Sequence, residues 1–129
     1  MTREELLQRE YYGRVERAVD HIYAHYGEEI GLADLADVAG FSRFHFHRIF
    51  SSVVGETVGE FIKRIRLQHA ASRLFDHPEE SVTEVALAVG FSSSSVFARA
   101  FRERFGVTAS QWRRRGRTTN PPRGQSNRV

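Results

Sequence analysis

Val15, Ala18, Val19, Ile22 and Tyr26 recur at spacings of three and four, which predicts an amphipathic helix over about residues 10 to 26, ended at Gly27. A shorter apolar cluster, "LADLADVA", predicts a second helix over residues 32 to 39. In the stretch that follows, Phe46, Ile49, Phe50 and Val53 fall at i, i+3, i+4 and i+7 and mark a buried stripe. Phe44, His45, His47, Arg48 and Ser51 are left outward. Further on, Phe97, Ala100, Phe101 and Phe105 mark a second such stripe, leaving Ser94, Ser95, Val96, Arg99 and Arg102 outward or flanking. Thr57 with Glu60, Ser81 with Glu84, and Thr108 with Gln111 each fit a capping box, in which a hydroxyl and a side chain three residues on satisfy the free N–H groups of a helix start. These boxes place helices at about 58 to 76, 82 to 89 and 109 to 115, while Ser42 and Ser92 are expected to cap the helices that follow them. His77-Pro78 breaks the chain between two lobes. The chain reads as all-α.

The pattern is written twice. "LADLADVAGFS" at 32 to 42 matches "VTEVALAVGFS" at 82 to 92 at an offset of fifty, with Leu35 over Val85, Ala36 over Ala86, Gly40 over Gly90 and Phe41 over Phe91. After one added residue, Phe46 meets Phe97, Arg48 meets Arg99, Phe50 meets Phe101, Gly55 meets Gly106, Thr57 meets Thr108 and Phe61 meets Trp112. Two copies are too few for a solenoid, so duplication of a small module is the better reading.

Each copy carries an Ala four residues before a Gly, Ala36 to Gly40 and Ala86 to Gly90. A helix-turn-helix uses that pairing because its helices cross over a small side chain and its short turn needs a residue that tolerates positive φ. The outward groups on the following helix suit base edges. Arg reaches guanine with two hydrogen bonds, His and Ser hydrogen-bond, and Phe44 or Val96 can touch a thymine methyl. The intervening helix, residues 58 to 76, spans about 28 Å at a rise of ~1.5 Å per residue. That falls a little short of the ~34 Å between successive major grooves. One chain can then fill two adjacent grooves without dimerising, with the DNA bent toward it.

Charge distribution sharpens this picture. The net charge is +3 over 129 residues, but residues 1 to 40 hold four Arg against nine acidic groups, residues 41 to 112 nine basic against seven acidic, and residues 113 to 129 six Arg against none. A basic C-terminal side suits a nucleic-acid partner, although a solvated basic tail raises the isoelectric point equally well. The chain has no cysteine, which excludes disulfides and thiolate metal sites. Its longest apolar runs, such as "VALAV", are far too short to span a bilayer, and "MTREELLQRE" has no apolar signal region, so a cytoplasmic protein without a membrane partner is expected.

The run "AVGFSSSSVFARAFRERFGVTASQWRR" is similar to the C-terminal signature of the AraC/XylS family of bacterial transcription regulators, and "FIKRIRLQHAASRL" resembles that family's linker helix, with Arg66, Leu67, Ala70 and Leu74 at its expected places. The resemblance covers residues 12 to 115. It implies two helix-turn-helix subdomains joined by a long linker helix, facing consecutive major grooves, and for most members contact with RNA polymerase to activate transcription. The length is similar to that of the short, single-module activators of stress and multidrug-resistance genes, which bind asymmetric sites as monomers. The family's base-contacting positions carry over onto Phe44, His47 and Arg48 in the first copy and onto Ser94, Ser95, Val96 and Arg99 in the second. With their outward neighbours, the candidate DNA interface is Ser42, Arg43, Phe44, His45, His47, Arg48, Ser51, Ser92, Ser94, Ser95, Val96, Arg99 and Arg102. "SSSS" opens the second recognition helix where the family commonly has longer amide or charged side chains, so the first copy is expected to supply most specificity and the second mainly affinity.

The expected organisation is residues 1–56 for an N-terminal helix and first helix-turn-helix, 57–77 for the linker, 78–116 for the second helix-turn-helix and closing helix, and 117–129 for a disordered basic tail. No nucleophile elbow, phosphate-binding Gly loop or paired carboxylate appears, so no enzyme, catalytic residue or cofactor is expected. His21 and His25 at i, i+4 lack a completing Cys or carboxylate at recognisable spacing, and His45 and His47 point to different sides, so no metal is expected. The competing reading is a non-catalytic adaptor or decoy with a DNA-binding-like fold, its acidic N-terminal helix docking another protein. That acidic helix suits polymerase contact and a plain solvated face equally.

Overall fold

Six of the seven helices among the described residues begin at a residue whose hydroxyl accepts a hydrogen bond from an amide in the first turn. In the computed structural model, which describes residues 1–119, these hydroxyls belong to Thr2, Ser42, Thr57, Ser81, Ser93 and Thr108. They open α1 (Arg3–His25), α3 (Arg43–Val54), α4 (Val58–Asp76), α5 (Val82–Ala88), α6 (Ser94–Phe105) and α7 (Ala109–Thr119). Only α2 (Leu32–Ala39) starts on a glycine, Gly31, without a side-chain cap. The three capping boxes legible in the sequence are all formed: Glu60, Glu84 and Gln111 each return a side-chain oxygen to the amide of the capping residue. A fourth, Thr2 with Glu5, starts α1 seven residues before the apolar period does. Each such cap contributes on the order of 1 kcal/mol.

The described residues form no strand, and they divide into two compact units, Met1–Ile65 and the chain from Arg66 onward. In the first, Val15, Ala18 and Ile22 of α1 pack on Leu35 and Ala36 of α2 and on Phe46 and Phe50 of α3, with Phe61 and Ile65 at the start of α4 completing the core. Phe50 meets Phe46 at 5.6 Å and the Phe61 ring edge-on at 5.7 Å, an arrangement that aromatic quadrupoles favour. Two arginines of α1 fasten the end of α2: Arg14 donates to the Gly40 carbonyl at 3.1 Å, and Arg17 to those of Val38 and Ala39. Those carbonyls are among the acceptors a helix end leaves without an intrahelical donor.

In the second unit, Leu67, Ala70 and Leu74 of α4 share a core with Val85 and Ala86 of α5, Phe97 and Phe101 of α6, and Trp112 of α7. The buried indole donates to the Ala71 carbonyl at 3.0 Å and lies parallel to the Phe75 ring at 5.5 Å. Arg113, the next residue, donates to three backbone carbonyls, those of Leu74, His77 and Glu80, and so ties the end of α4 to the turn around Pro78. Arg73 forks onto both Glu80 carboxylate oxygens at 2.7 and 2.8 Å.

Two helix boundaries differ from the sequence expectation. The amphipathic period anticipated α1 only from about residue 10, but the Thr2 cap starts it at Arg3. Gly116, expected to end the last helix, lies inside α7, which runs to Thr119. A methyl group at Gly116 would overlap the Phe75 ring, so the residue is small because an aromatic stack presses against it. Of the basic tail anticipated from residue 117, positions 120–129 lie outside the described residues.

Gly116→Ala separates these effects by sign. Helix propensity alone favours Ala by about 1 kcal/mol, whereas forcing a methyl into a packed site costs about 1–3 kcal/mol. Urea unfolding is expected to show a net loss of stability; a more stable variant would mean that the Phe75 contact is slack. Acid provides a second test. Hydrogen bonds from Arg73 hold the Glu80 carboxyl below its ordinary value of 4.5, and the Thr57 amide does the same for Glu60. A carboxylate whose folded pKa is depressed stabilises the fold above its unfolded value, and that contribution is lost as pH falls through the folded value. The unfolding midpoint is therefore expected to drop as pH falls below about 4.5, and Glu80→Gln to make the drop shallower; an unaltered acid limb would count against the pairing.

Candidate nucleic-acid interface

The turn that presents each recognition helix is built by six consecutive positions. In the first unit the Phe41 amide donates to the Ala36 carbonyl at 3.0 Å and the Gly40 amide to that of Asp37 at 3.1 Å. In the second unit Phe91 donates to Ala86 at 3.0 Å and Gly90 to Leu87 at 3.1 Å. This paired bonding is the Schellman helix ending, which requires a left-handed residue; Gly40 has φ +79° and Gly90 φ +106°. Ala36 and Ala86 are both buried, as the close crossing of two helices demands. The aromatic after each glycine turns inward, and Phe91 meets Phe97 at 5.3 Å.

Here the copies diverge by one residue. Ser42 directly follows Phe41 and caps α3, accepting from the His45 amide at 3.2 Å. Ser92 does not cap α6 as the sequence led us to expect. Ser93 does, accepting from the Val96 amide at 3.2 Å. The added residue of the second copy is thus Ser92, and Ser93 stands where the first copy has Ser42.

Ser42, Arg43, Phe44, His45, His47 and Arg48 are all exposed in the first unit, as are Ser92, Ser94, Ser95, Val96, Arg99 and Arg102 in the second. Two large apolar side chains are held out in water: Phe44 is 73% and Val96 55% accessible, where a core residue would be near zero. The Arg48 guanidinium lies over the Phe44 ring, 5.7 Å from its centroid, a cation–π contact that couples the two side chains. Among the described residues, none of Arg43, Arg48, Arg99 and Arg102 is held by an ion pair.

Two assignments need correction. Ser51, anticipated on the outward face, is half-buried, and its hydroxyl oxygen is buried without a hydrogen-bond partner. Val53, anticipated in the buried stripe, is 36% exposed, and Val54 packs on the core instead. Both follow from the orientation of α3, whose inner face centres on Phe46, Phe50 and Val54 rather than on a strict 3–4 repeat through Val53.

Sequence reasoning also passed over Gln8, Tyr11 and Tyr12, which α1 sets beside α3. Together with Arg48, Ile49, Ser52 and Val53 they line an open cavity of ≈ 350 Å³. The Thr2–Glu5 capping box was the signal that places Gln8 on the helix, whereas Tyr11 and Tyr12 already lay within the helix anticipated from about residue 10. Metal-ligating groups are less suggestive. His77, Glu79 and Glu80 offer atoms within 4.8 Å of one another, but both Glu80 oxygens already accept from Arg73. The His21 and His25 rings lie 4.4 Å apart at a tilt of 34°, with His25 Nδ1 3.1 Å from Glu28. No helix among the described residues is long and apolar enough to cross a membrane.

Known proteins share this arrangement. The family described as a helix-turn-helix domain matches residues 35–115. The chain is 34% identical over 104 residues to YbfP of Bacillus subtilis (strain 168), an uncharacterized HTH-type transcriptional regulator, with 80% of this chain and 35% of that protein aligned. It is 36% identical over 89 residues to PqrA of Proteus vulgaris, a probable transcription factor, with 69% of this chain and 72% of that one aligned. The chain thus spans about a third of the length of the Bacillus relative. Among solved structures, the DNA-binding domain of AdpA, a global transcriptional factor in complex with a target DNA, superposes with a TM-score of 0.77 at 28% identity, covering 83% of this chain and 96% of that one. A probable AraC family transcriptional regulator from Rhodopseudomonas palustris gives a TM-score of 0.73 at 33% identity, covering 80% and 96%. Two matched Schellman turns, two capped and outwardly armed helices and a family match across both of them agree: this chain belongs to the AraC-type helix-turn-helix family of transcription regulators.

Proposed function

We propose that the chain is a sequence-specific DNA-binding transcription regulator that places α3 and α6 in successive major grooves of one duplex, binds as a monomer, and activates transcription through contact with RNA polymerase in the cytoplasm. The observation that carries the DNA reading is the exposed set Phe44, His47 and Arg48 on a helix whose start is fixed by Gly40 and Ser42, repeated with Val96 and Arg99 behind Gly90 and Ser93. Holding Phe44 and Val96 in water is unfavourable in the free protein, and both gain apolar partners against thymine methyl groups. Among the described residues Arg48 and Arg99 have no carboxylate partner, so binding a phosphate or guanine breaks no ion pair there. The solved complex of the AdpA DNA-binding domain with its target, 28% identical to this chain, supports the same reading.

The groove assignment rests on length. α4 has 19 residues, or about 28 Å, against ~34 Å for one turn of duplex, and a bend of the DNA toward the protein makes up the difference. The activator assignment rests on the resemblance to the AraC/XylS family, most of whose members activate transcription by contacting RNA polymerase; the exposed Glu4 and Glu5 in the first turn of α1 are compatible with it. Ser94 and Ser95 are short, so α6 reaches base edges mainly through Arg99, and α3 carries most of the sequence reading.

Arg48→Ala is accordingly expected to cost about 1–3 kcal/mol in binding and to relax the preference at the bases it reads, whereas Arg99→Ala should relax sequence preference less. Competition binding against a panel of single-base variants measures both; a larger loss of preference with Arg99→Ala would reverse the assignment. Residues 117–129 add Arg117, Arg123 and Arg128. If these neutralise phosphates, deleting the segment should lower the slope of log K against log salt by up to about 3, at ~0.9 per contact, and an unchanged slope would remove the tail from the interface.

A further inference from the structure

The cavity beside α3 is built from regular helical spacings. Gln8, Tyr11 and Tyr12 of α1 stand at i, i+3 and i+4, and face two i, i+4 pairs of α3, Arg48 with Ser52 and Ile49 with Val53. Its volume of ≈ 350 Å³ lies at the lower end of the range for small-molecule pockets. Two phenol rings, Ile49 and Val53 give it apolar walls, and Tyr11 is steadied by an edge-on contact with Phe41 at 5.3 Å. Among the described residues, no acidic side chain lines it. Arg48 is the charged residue among those that line it; its guanidinium lies over the neighbouring Phe44 ring and is held by no ion pair among the described residues.

We infer that this cavity binds a small monocarboxylate with a one- or two-ring aromatic body, and that the bound carboxylate draws Arg48 away from DNA. A single cation with neutral donors from Ser52, Gln8 and the two phenols matches one carboxylate, and the apolar walls match a flat ring system. A DNA phosphate would satisfy the polar groups but leave Ile49 and Val53 without apolar partners. One guanidinium cannot serve both a carboxylate in the cavity and a base edge in the groove, so the two ligands exclude each other. The first half of the inference stands without the DNA reading, and the second half rests on it.

The full chain labelled with ¹⁵N is titrated with sodium 2-naphthoate, with 2-naphthamide as its neutral counterpart and sodium chloride as the ionic control. Saturable amide shifts centred on residues 8 to 12 and 48 to 53 are expected. The amide, and Tyr12→Ala with naphthoate, should bind about tenfold more weakly, the effect of losing one good contact. Val53→Trp fills the cavity from a position outside the proposed base contacts and should block naphthoate while leaving DNA affinity intact; circular dichroism verifies its fold. At ten times the naphthoate Kd, mutual exclusion raises the apparent Kd for a selected duplex about elevenfold, and Val53→Trp abolishes that rise. Absence of saturable shifts, or shifts centred elsewhere, overturns the site. Shifts in the cavity with unchanged DNA affinity overturn the competition through Arg48. Duplex-induced shifts centred on Gln8, Tyr11 and Tyr12, away from the proposed base contacts, assign the cavity to the DNA backbone and likewise overturn the site. Naphthoate shifts in a protein that prefers no duplex overturn the regulatory half and the DNA reading while leaving the binding site standing.

Discussion

The left-handed glycine at the end of α2, and its counterpart at the end of α5, is the constraint on which the rest of the structure depends. Gly40 and Gly90 permit the chain to leave a helix in a conformation that β-carbons resist, and the two amide bonds of the Schellman ending fix the exit direction. That direction carries Phe41 and Phe91 back against the protein. It also sets the start of the next helix within one or two residues, where Ser42 or Ser93 caps it. Core packing and surface display are thereby linked. Once Phe46 and Phe50 are buried, the same helix must hold Phe44, His47 and Arg48 in solvent.

The two units use this device with different emphasis. The first surrounds it with arginines from α1, which hold the last carbonyls of α2, and gives its recognition helix an aromatic ring and a guanidinium in contact. In the second, reinforcement comes from α7, where Trp112 and Arg113 together donate to four carbonyls of α4 and the following turn, and its recognition helix opens with hydroxyls. A duplicated frame has thus kept its turn and its core while its outward chemistry changed. This is the division expected when burial fixes some positions and binding alone fixes others.

Features governed by a short stretch of chain were legible in the sequence. The three capping boxes, the glycine turns, the alternation that buries Phe97 and exposes Arg99, and the register of the repeat all depend on neighbours within a few residues. Where the reading failed, the deciding contact came from farther away. Gly116 reads as a helix end by composition, yet it is a packing position because Phe75 lies against it. Ser51 turns partly inward and Val53 partly outward because the orientation of α3 is set by its packing on α1 and α2, which the period of α3 alone cannot reveal. The carbonyl-binding roles of Arg14, Arg17 and Arg113 leave no local pattern at all. Two misses were avoidable: the Thr2–Glu5 box was present in the sequence, and an offset that grows by one after Phe91 already implied a shifted cap. The candidate interface was read well in outline because exposure on a short helix follows from burial of its other face. Which of those side chains touch bases is not encoded in burial.

The account stands or falls on two recognition helices reading one duplex, and selection from a randomised pool of duplex DNA by the purified chain at physiological salt tests it most directly. The account predicts an enriched, asymmetric motif of two blocks about one helical turn, ~34 Å, apart, with the more constrained block belonging to α3. A palindrome would contradict monomeric binding, and no enrichment above non-specific binding would contradict sequence-specific recognition and favour a protein-docking role for the same fold.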